Sequence, residues 1–215
     1  MKRKTLGTFL IFFGVLLVLT AVGLTGYNLW DNSRAESAAQ SVLLALTATL
    51  PEPPAQESAP IFPNFLPPEA ETIPPHVLNT DLEMPETLVN GVAYIGVLEI
   101  PALELELPIA SRWNPNTAKT APCRYSGSVY SGDMVVAGHN YRKHFGKLPS
   151  LPMGTLVQFT DTAGNVFLYE ITDIETVGST DIETMCTGDW DLTLFTCTTG
   201  GQARFAIRCT SAETP

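Results

Sequence analysis

Cys197 closes the run Leu192-Thr193-Leu194-Phe195-Thr196 and precedes Thr198-Thr199-Gly200-Gly201, so its thiol sits where a buried strand gives way to a flexible loop. A strand end is stiff enough to aim a sulfur, and the glycines let a peptide backbone come close. His139 has the same placement at the end of Met134-Val135-Val136-Ala137-Gly138 and is followed by Asn140. An imidazole there exchanges protons near neutral pH; it can stabilise a thiolate as imidazolium and then protonate an amine leaving group. Arg204 opens a further strand seven positions beyond Cys197. A loop containing Gly200 and Gly201 can fold its guanidinium back toward the thiol, where a fixed cation would stabilise an oxyanion or hold a substrate carbonyl. Arg208 is a rival, because residues 204, 206 and 208 share one strand face under the two-residue period and spacing excludes neither arginine. Each residue alone has a bland reading as a buried cysteine, a solvated histidine or a strand-end arginine. Together they supply a nucleophile, a proton carrier and an oxyanion partner for acyl transfer.

The remaining reactive groups point elsewhere. Cys123, Cys186 and Cys209 complete a set of four cysteines, which allows three full disulfide pairings, and the spacing does not choose among them. Two of these pairings would tie Cys197 to Cys186 or to Cys209, leaving an inactive, wall-facing binding module in place of an enzyme. No cysteine pair has zinc-site spacing and there are only three histidines, so neither a metal nor a cofactor is expected. His76 and His144 read as solvated loop residues, although His144 lies near enough to His139 to contact substrate. Asp133 shares a strand face with His139, which permits an orienting role without showing contact.

These residues need a scaffold. From Thr5 to Trp30 no residue is charged, a length that crosses roughly 30 Å of hydrocarbon as a helix. Lys2, Arg3 and Lys4 precede it, so the positive-inside bias predicts a single-pass anchor in the cell membrane, with a cytoplasmic N-terminus and an extracytoplasmic remainder. A cleaved signal peptide, with Ala38-Ala39-Gln40 as its site, would export the same domain. Residues 31–47 suit a short helix continuing out of the membrane. Prolines crowd the stretch from Pro51 to Pro85 and predict a polyproline-like spacer that carries the domain away from the bilayer, unless Ile61-Phe62 and Phe65-Leu66 dock on it. The expected organisation is therefore 1–30 tip and anchor, 31–88 helical stub and linker, and 89–215 catalytic domain. The formal net charge of −10 argues against nucleic acid as a partner.

Beyond about Tyr94, short apolar alternations broken by Gly, Pro, Asn or Asp predict an all-β barrel or sandwich. The expected strands are Ala93–Ile100, Leu105–Ile109, Met134–Gly138, Leu156–Thr160, Val166–Ile174, Leu192–Thr196 and Arg204–Cys209, with a hairpin turn at Asp161–Asn165.

Thr193-Leu194-Phe195-Thr196-Cys197 resembles the Thr-Leu-x-Thr-Cys signature of sortases, the cysteine transpeptidases of Gram-positive cell surfaces. Gly138-His139-Asn140 is similar to the family's histidine segment, and Arg204-Phe205-Ala206-Ile207-Arg208 to its arginine strand. Leu98-Glu99-Ile100-Pro101 through Leu107-Pro108-Ile109 looks like the start of its barrel. The resemblance covers about residues 90–210. It implies an eight-stranded β-barrel with short helices, in which Cys197 attacks a Leu-Pro-x-Thr-Gly-like sorting signal and forms a thioester. It further implies that His139 moves the protons and that Arg204, which begins its strand as the family's arginine does, steadies the oxyanion. Asn140, Thr196 and Thr198 would contact the substrate, and the acyl group would pass to an amine of a cell-wall precursor or a pilin. A hydrolytic peptidase would differ only in using water at that step. The loop after Cys197 is short and lacks the usual Pro-Tyr, while Val177–Trp190, bordering the expected groove, is acidic at Asp181, Glu183 and Asp189. These departures lean toward class B or D relatives.

Overall fold

A computed structural model describes residues 2–51 and 74–212, and the side chains of residue 9 and from residue 11 onward within them. Helix α1 (Lys2–Thr47) runs without a break from the apolar segment into the polar one. Its apolar half leaves Phe12, Leu16, Leu19 and Trp30 exposed, whereas Ala35, Ala39, Val42 and Leu46 are buried. Those four positions recur at spacings of four, three and four, a single helical stripe, and that stripe packs on the domain. Val42 and Leu46 join Val89, Tyr94, Val97, Ala110 and Cys123 in one cluster, with Ala39 in the main core.

Residues 31–47, whose packing partner the sequence does not identify, are thus built into the barrel domain. Helix α1 itself delivers the chain to the barrel, so the proline-rich stretch follows that contact and does not precede it. Ala39, within the candidate cleavage site, is 3% exposed in the middle of the packed helix. Residues 52–73, with Ile61-Phe62 and Phe65-Leu66, lie outside the described residues. Helix α2 (Pro75–Leu78) follows. His76 is not a solvated linker residue: its ring stacks on Tyr130 with centroids 4.6 Å apart.

The strands are β1 (Thr87–Val89), β2 (Val92–Ile100), β3 (Leu105–Ala110), β4 (Cys123–Ser126), β5 (Met134–Ala137), β6 (Leu156–Asp161), β7 (Val166–Gly178), β8 (Leu192–Cys197) and β9 (Ala203–Ser211). They are hydrogen-bonded in the order β1-β2-β3-β4-β5-β8-β9-β7-β6, and β6 pairs back on β2, which closes an eight-stranded barrel from β2 to β9. Strand β1 is a short hairpin arm on β2. Every expected strand forms; β1 and β4 are additional, and β7 runs four residues further than the alternation suggested.

Inward residues such as Ile95, Leu98, Ile109, Val136, Phe159, Leu194 and Ile207 fill the barrel and are at most 0% exposed. Each contributes on the order of 1.5–3 kcal/mol by burial. The β6–β7 turn forms as expected around Asp161, whose buried carboxylate accepts from the Ala163 and Asn165 amides at 2.8 and 2.9 Å and from the Tyr130 hydroxyl at 2.6 Å.

Two pairings decide where chemistry can occur. Strands β5 and β8 are parallel, with Ala137 opposite Phe195, so their C-terminal ends emerge side by side. Strands β8 and β9 are antiparallel, with Cys197 opposite Arg204, so β9 begins where β8 ends.

Candidate active site

His139, Cys197 and Arg204 therefore leave the barrel at one corner, and all three line a cleft of about 220 Å³. Trp113, Tyr125, Phe195, Ile182 and Met185 provide its apolar walls. Phe195 and Cys197 alternate outward from β8 while Leu194 points into the core, so the cleft lies on the outside of the barrel. Helix α3 (Ile182–Cys186) forms the opposite bank, capped by Asp181, whose carboxylate accepts from the Thr184 amide at 3.4 Å. The bank falls in the acidic segment expected to border the groove.

All four cysteines are free, so the Cys197 thiol is not in a bridge. The short loop behind it is closed by Thr198: its hydroxyl donates to the Ala203 carbonyl and accepts from the Ala203 amide, both at 3.1 Å. Gly200 and Gly201 have φ of 89° and 73°, the left-handed region that side chains avoid, which is why a loop this tight contains two glycines. Arg204 folds over the same loop, its guanidinium donating to the carbonyls of Gly201 at 3.0 Å and Ala203 at 2.9 Å.

His139 is held from both sides. The Gly138 amide donates to the Phe195 carbonyl at 3.0 Å, which extends the β5–β8 pairing, and the Phe145 amide donates to the His139 carbonyl at 3.1 Å. A Cβ on Gly138 would meet the Phe145 ring at 2.5 Å, so glycine there allows Phe145 to tuck beneath the loop. Burial lowers the affinity of His139 for a proton; the Asp31 carboxylate opposes this and Lys119 adds to it.

The two arginines part company. Arg208 is 1% exposed and has no place in the cleft. It pairs with Glu175 at 2.7 Å and donates to the Thr193 hydroxyl at 3.0 Å and to the carbonyls of Thr184 and Met185 at 2.6 and 2.9 Å. Those carbonyls belong to α3, so Arg208 anchors the wall of the cleft from beneath.

Other expectations fare differently. His144 is not a solvated loop residue: it is fully buried, its ring meets Tyr141 edge-on at 5.4 Å, and burial lowers its pKa to about 4. Asp133 does not reach His139, since its carboxylate accepts from the Ser128 amide at 2.9 Å and from the Ser131 hydroxyl. Asn140 is exposed and stands outside the cleft. Thr196 borders the cleft, yet its hydroxyl is buried and has no hydrogen-bond partner among the described residues. Sequence reasoning misses Trp113, Tyr125 and Ile182, whose only signal is a large apolar side chain amid polar neighbours.

The sequence profile of the sortase domain matches residues 98–212. That is more than half of the chain. The chain belongs to the sortase family.

The match starts in β2 and runs to the end of β9, and so includes every strand that positions the cleft. Among solved structures, this sortase is similar in fold to sortase C1 from Streptococcus agalactiae, at 20% identity over 68% of this chain and 80% of that one, with a TM-score of 0.52. A sortase D5 transpeptidase from Clostridium perfringens matches at 20% identity over 59% of this chain and 83% of that one, with a TM-score of 0.51. Sortase C from Clostridium perfringens, solved with the C-terminal cell wall sorting motif, matches at 21% identity over 56% and 71%, with a TM-score of 0.50. No curated protein sequence matches.

Proposed function

We propose that this sortase is a membrane-anchored transpeptidase in which Cys197 is the nucleophile, His139 the proton carrier and Arg204 the oxyanion partner. The observation that carries the reading is the convergence of a free thiol, an imidazole and an unburied guanidinium in one cleft, from three strand ends far apart in sequence. The Cys197 sulfur, as thiolate, attacks a backbone carbonyl carbon of a sorting signal. The tetrahedral oxyanion faces Arg204. The carbon–nitrogen bond then breaks, protonated His139 gives its proton to the leaving amine, and a thioester remains on Cys197. An incoming amine reverses the sequence: it attacks the thioester, loses a proton to His139 and releases the thiolate.

The apolar walls at Trp113, Tyr125, Ile182 and Phe195 suit the leucine and proline of a Leu-Pro-x-Thr-Gly-like signal, and the sorting-motif complex of the clostridial sortase C is consistent with such a ligand. Thr196, Thr198 and Asn140 are the further candidates for substrate contact. The acceptor is an amine of a cell-wall precursor or a pilin. The apolar part of α1, an 18-residue stretch of mean hydropathy 1.8 within Ile11–Thr47, crosses the cell membrane with the N-terminus inside and the barrel outside.

Incubating the protein with a panel of sorting peptides and an amine tests this reading. Intact-mass spectrometry should show an acyl adduct on Cys197 that added amine discharges, and Cys197→Ala should neither form it nor cleave. Cleavage by Cys197→Ala at the parental rate would remove the nucleophile assignment. Release of the acid alone, with amine in excess, would make the enzyme a hydrolase.

A further inference from the structure

The anchor helix reaches the active site itself. Where the apolar run of α1 ends at Trp30, the next turn lies against the loop that follows His139. Asn32 accepts, through its side-chain oxygen, a hydrogen bond of 3.2 Å from the Arg142 amide. Glu36 pairs with Lys143 at 3.4 Å. The Asp31 carboxylate holds Arg34 at 3.2 Å, and the Tyr141 hydroxyl lies beside it. The Tyr141 ring in turn packs on His139 with centroids 5.0 Å apart. One helical turn thus grips the loop by a backbone hydrogen bond, an ion pair and the ring that backs the imidazole. The exposed Glu36–Lys143 pair adds little by itself. The Asn32 bond to backbone and the packing of the Tyr141 ring on His139 are specific in geometry.

We propose that Asp31 and Asn32 are positioning residues of the catalytic site: the first polar turn beyond the membrane span fixes the loop at residues 139–147 and sets a carboxylate behind the Tyr141–His139 pair. The proposal rests on the transpeptidase reading. His139 must accept and give back a proton in each half-reaction, so the carboxylate that favours its charged form and the packing that fixes its ring both bear on turnover. The groups facing it are Asp31 from α1, Lys119 from the short helical turn at 117–119, Tyr141 and His144 from its own loop, Cys197 from β8, Arg204 from β9 and, across the cleft, Asp181 at the cap of α3. Of the two carboxylates, Asp31 is the one that favours the charged imidazole. A consequence is that the cleft stands at the bilayer surface, not at the far end of a spacer.

The experiment uses the full chain in detergent micelles and compares Asp31→Asn, Asp31→Glu, Asn32→Ala and Tyr141→Phe with the parent. With three histidines in the chain, ring NMR signals can be assigned by substitution and titrated singly. Iodoacetamide alkylation of Cys197 against pH reports the same pair without a substrate. Asp31→Asn should move the His139 titration to lower pH, shift the alkylation profile, and lower kcat about tenfold with KM within about twofold, whereas Asp31→Glu restores most of each. Asn32→Ala should lower kcat while leaving KM in place. If Asp31→Asn leaves titration, alkylation and kcat at parental values, the proposal is wrong; if it fails to fold, Tyr141→Phe cuts the same link and decides in its place. A parent chain that cleaves no sorting peptide would defeat the transpeptidase reading alone, since titration and alkylation still judge the role of Asp31.

Discussion

Replacing His144 by leucine should remove an acid sensitivity that the native chain carries. The ring is 0% exposed, and neither nitrogen has a hydrogen bond of normal geometry among the described residues, although the Thr120 backbone lies close. Burial chiefly, and the neighbouring His139 next, bring its pKa from 6.5 to about 4. As the pH falls below about 6.5 the unfolded chain takes up a proton at this residue, while the folded chain refuses it until about 4. In that window the unfolded state binds more protons, so stability declines with falling pH and levels off below about 4; above about 6.5 the residue has no effect. A gap of about 2.5 between the two states, at about 1.4 kcal/mol for each tenfold in proton affinity, amounts to about 3.5 kcal/mol. At about 4 °C per kcal/mol for a domain of this size, that is a fall in Tm of about 14 °C. Urea and thermal melts of the full chain, followed by near-UV circular dichroism between about pH 7.5 and about pH 4.5, would measure it. Carboxylates titrate in both proteins, so the parent-minus-variant difference isolates His144. Because its nitrogens are unpartnered, leucine should cost little at neutral pH, and the variant should be the more acid-resistant protein. Parallel decline of both proteins would refute the argument and place the ring in contact with water.

Arg204→Ala should lower kcat on the order of 10²–10³-fold with Tm nearly unchanged, as loss of an oxyanion donor does, measured by steady-state kinetics alongside a melt. Arg208→Ala should instead destabilise the fold by about 3 kcal/mol, read from urea midpoints, because it strips partners from Thr193 and from the α3 carbonyls and leaves a cavity. Gly138→Ala drives a methyl into the Phe145 ring, so it should cost about 1–3 kcal/mol and slow turnover together. Timed alkylation with mass mapping should find Cys197 and Cys186 reactive and Cys123 and Cys209 inert in the folded state, since the last two are buried and burial pushes the Cys209 thiol up to about 12.

The barrel was legible because its strands alternate strongly and are cut by turn residues; Leu156–Asp161 and Val166–Gly178 around an Asp-Thr-Ala-Gly-Asn turn are the plain case. Strand β1 has a readable signal: Asn90 and Gly91, with φ of 52° and 78°, form the two-residue hairpin turn that Asn-Gly favours. Strand β4 has none, because Cys123-Arg124-Tyr125-Ser126 is short and meets β3 in parallel at the single pair Ala110 and Cys123, a register that no local pattern shows. The approach of Cys197 to Arg204 followed from seven residues of separation and a glycine loop. The approach of His139 did not, since it depends on the parallel pairing of β5 with β8, and a parallel register cannot be read from local pattern. For the same reason the period-two rule left Arg204 and Arg208 on one face without telling the open end of that face from the end covered by α3. His144 was misread because a basic, polar neighbourhood in sequence, Arg142-Lys143-His144, says nothing of which side chain turns inward.

The position of the site on the outer surface of the barrel has a thermodynamic consequence. Stability resides in the inward residues of β5, β8 and β9, such as Val136, Leu194 and Ile207, and in Arg208 under α3. Cys197 and Arg204 occupy the outward face of the same strands, and His139 lies just beyond β5. All three are only half-buried. Nothing in the core depends on their side chains: among the described residues Cys197 makes no side-chain hydrogen bond, and Arg204 bonds only the carbonyls of Gly201 and Ala203 at the barrel's rim. A chain lacking all three reactive groups, with His139→Ala, Cys197→Ala and Arg204→Ala combined, should therefore keep its urea midpoint to within about 1 kcal/mol of the parent, as surface substitutions away from packed features do. The effects should also be close to additive in stability and, on the proposed roles, grossly non-additive in rate, because three groups acting on one tetrahedral centre would be lost at the first substitution. A triple variant that unfolds, or one whose stability loss far exceeds the sum of the singles, would mean that the three side chains hold the corner of the barrel together and are not simply presented by it.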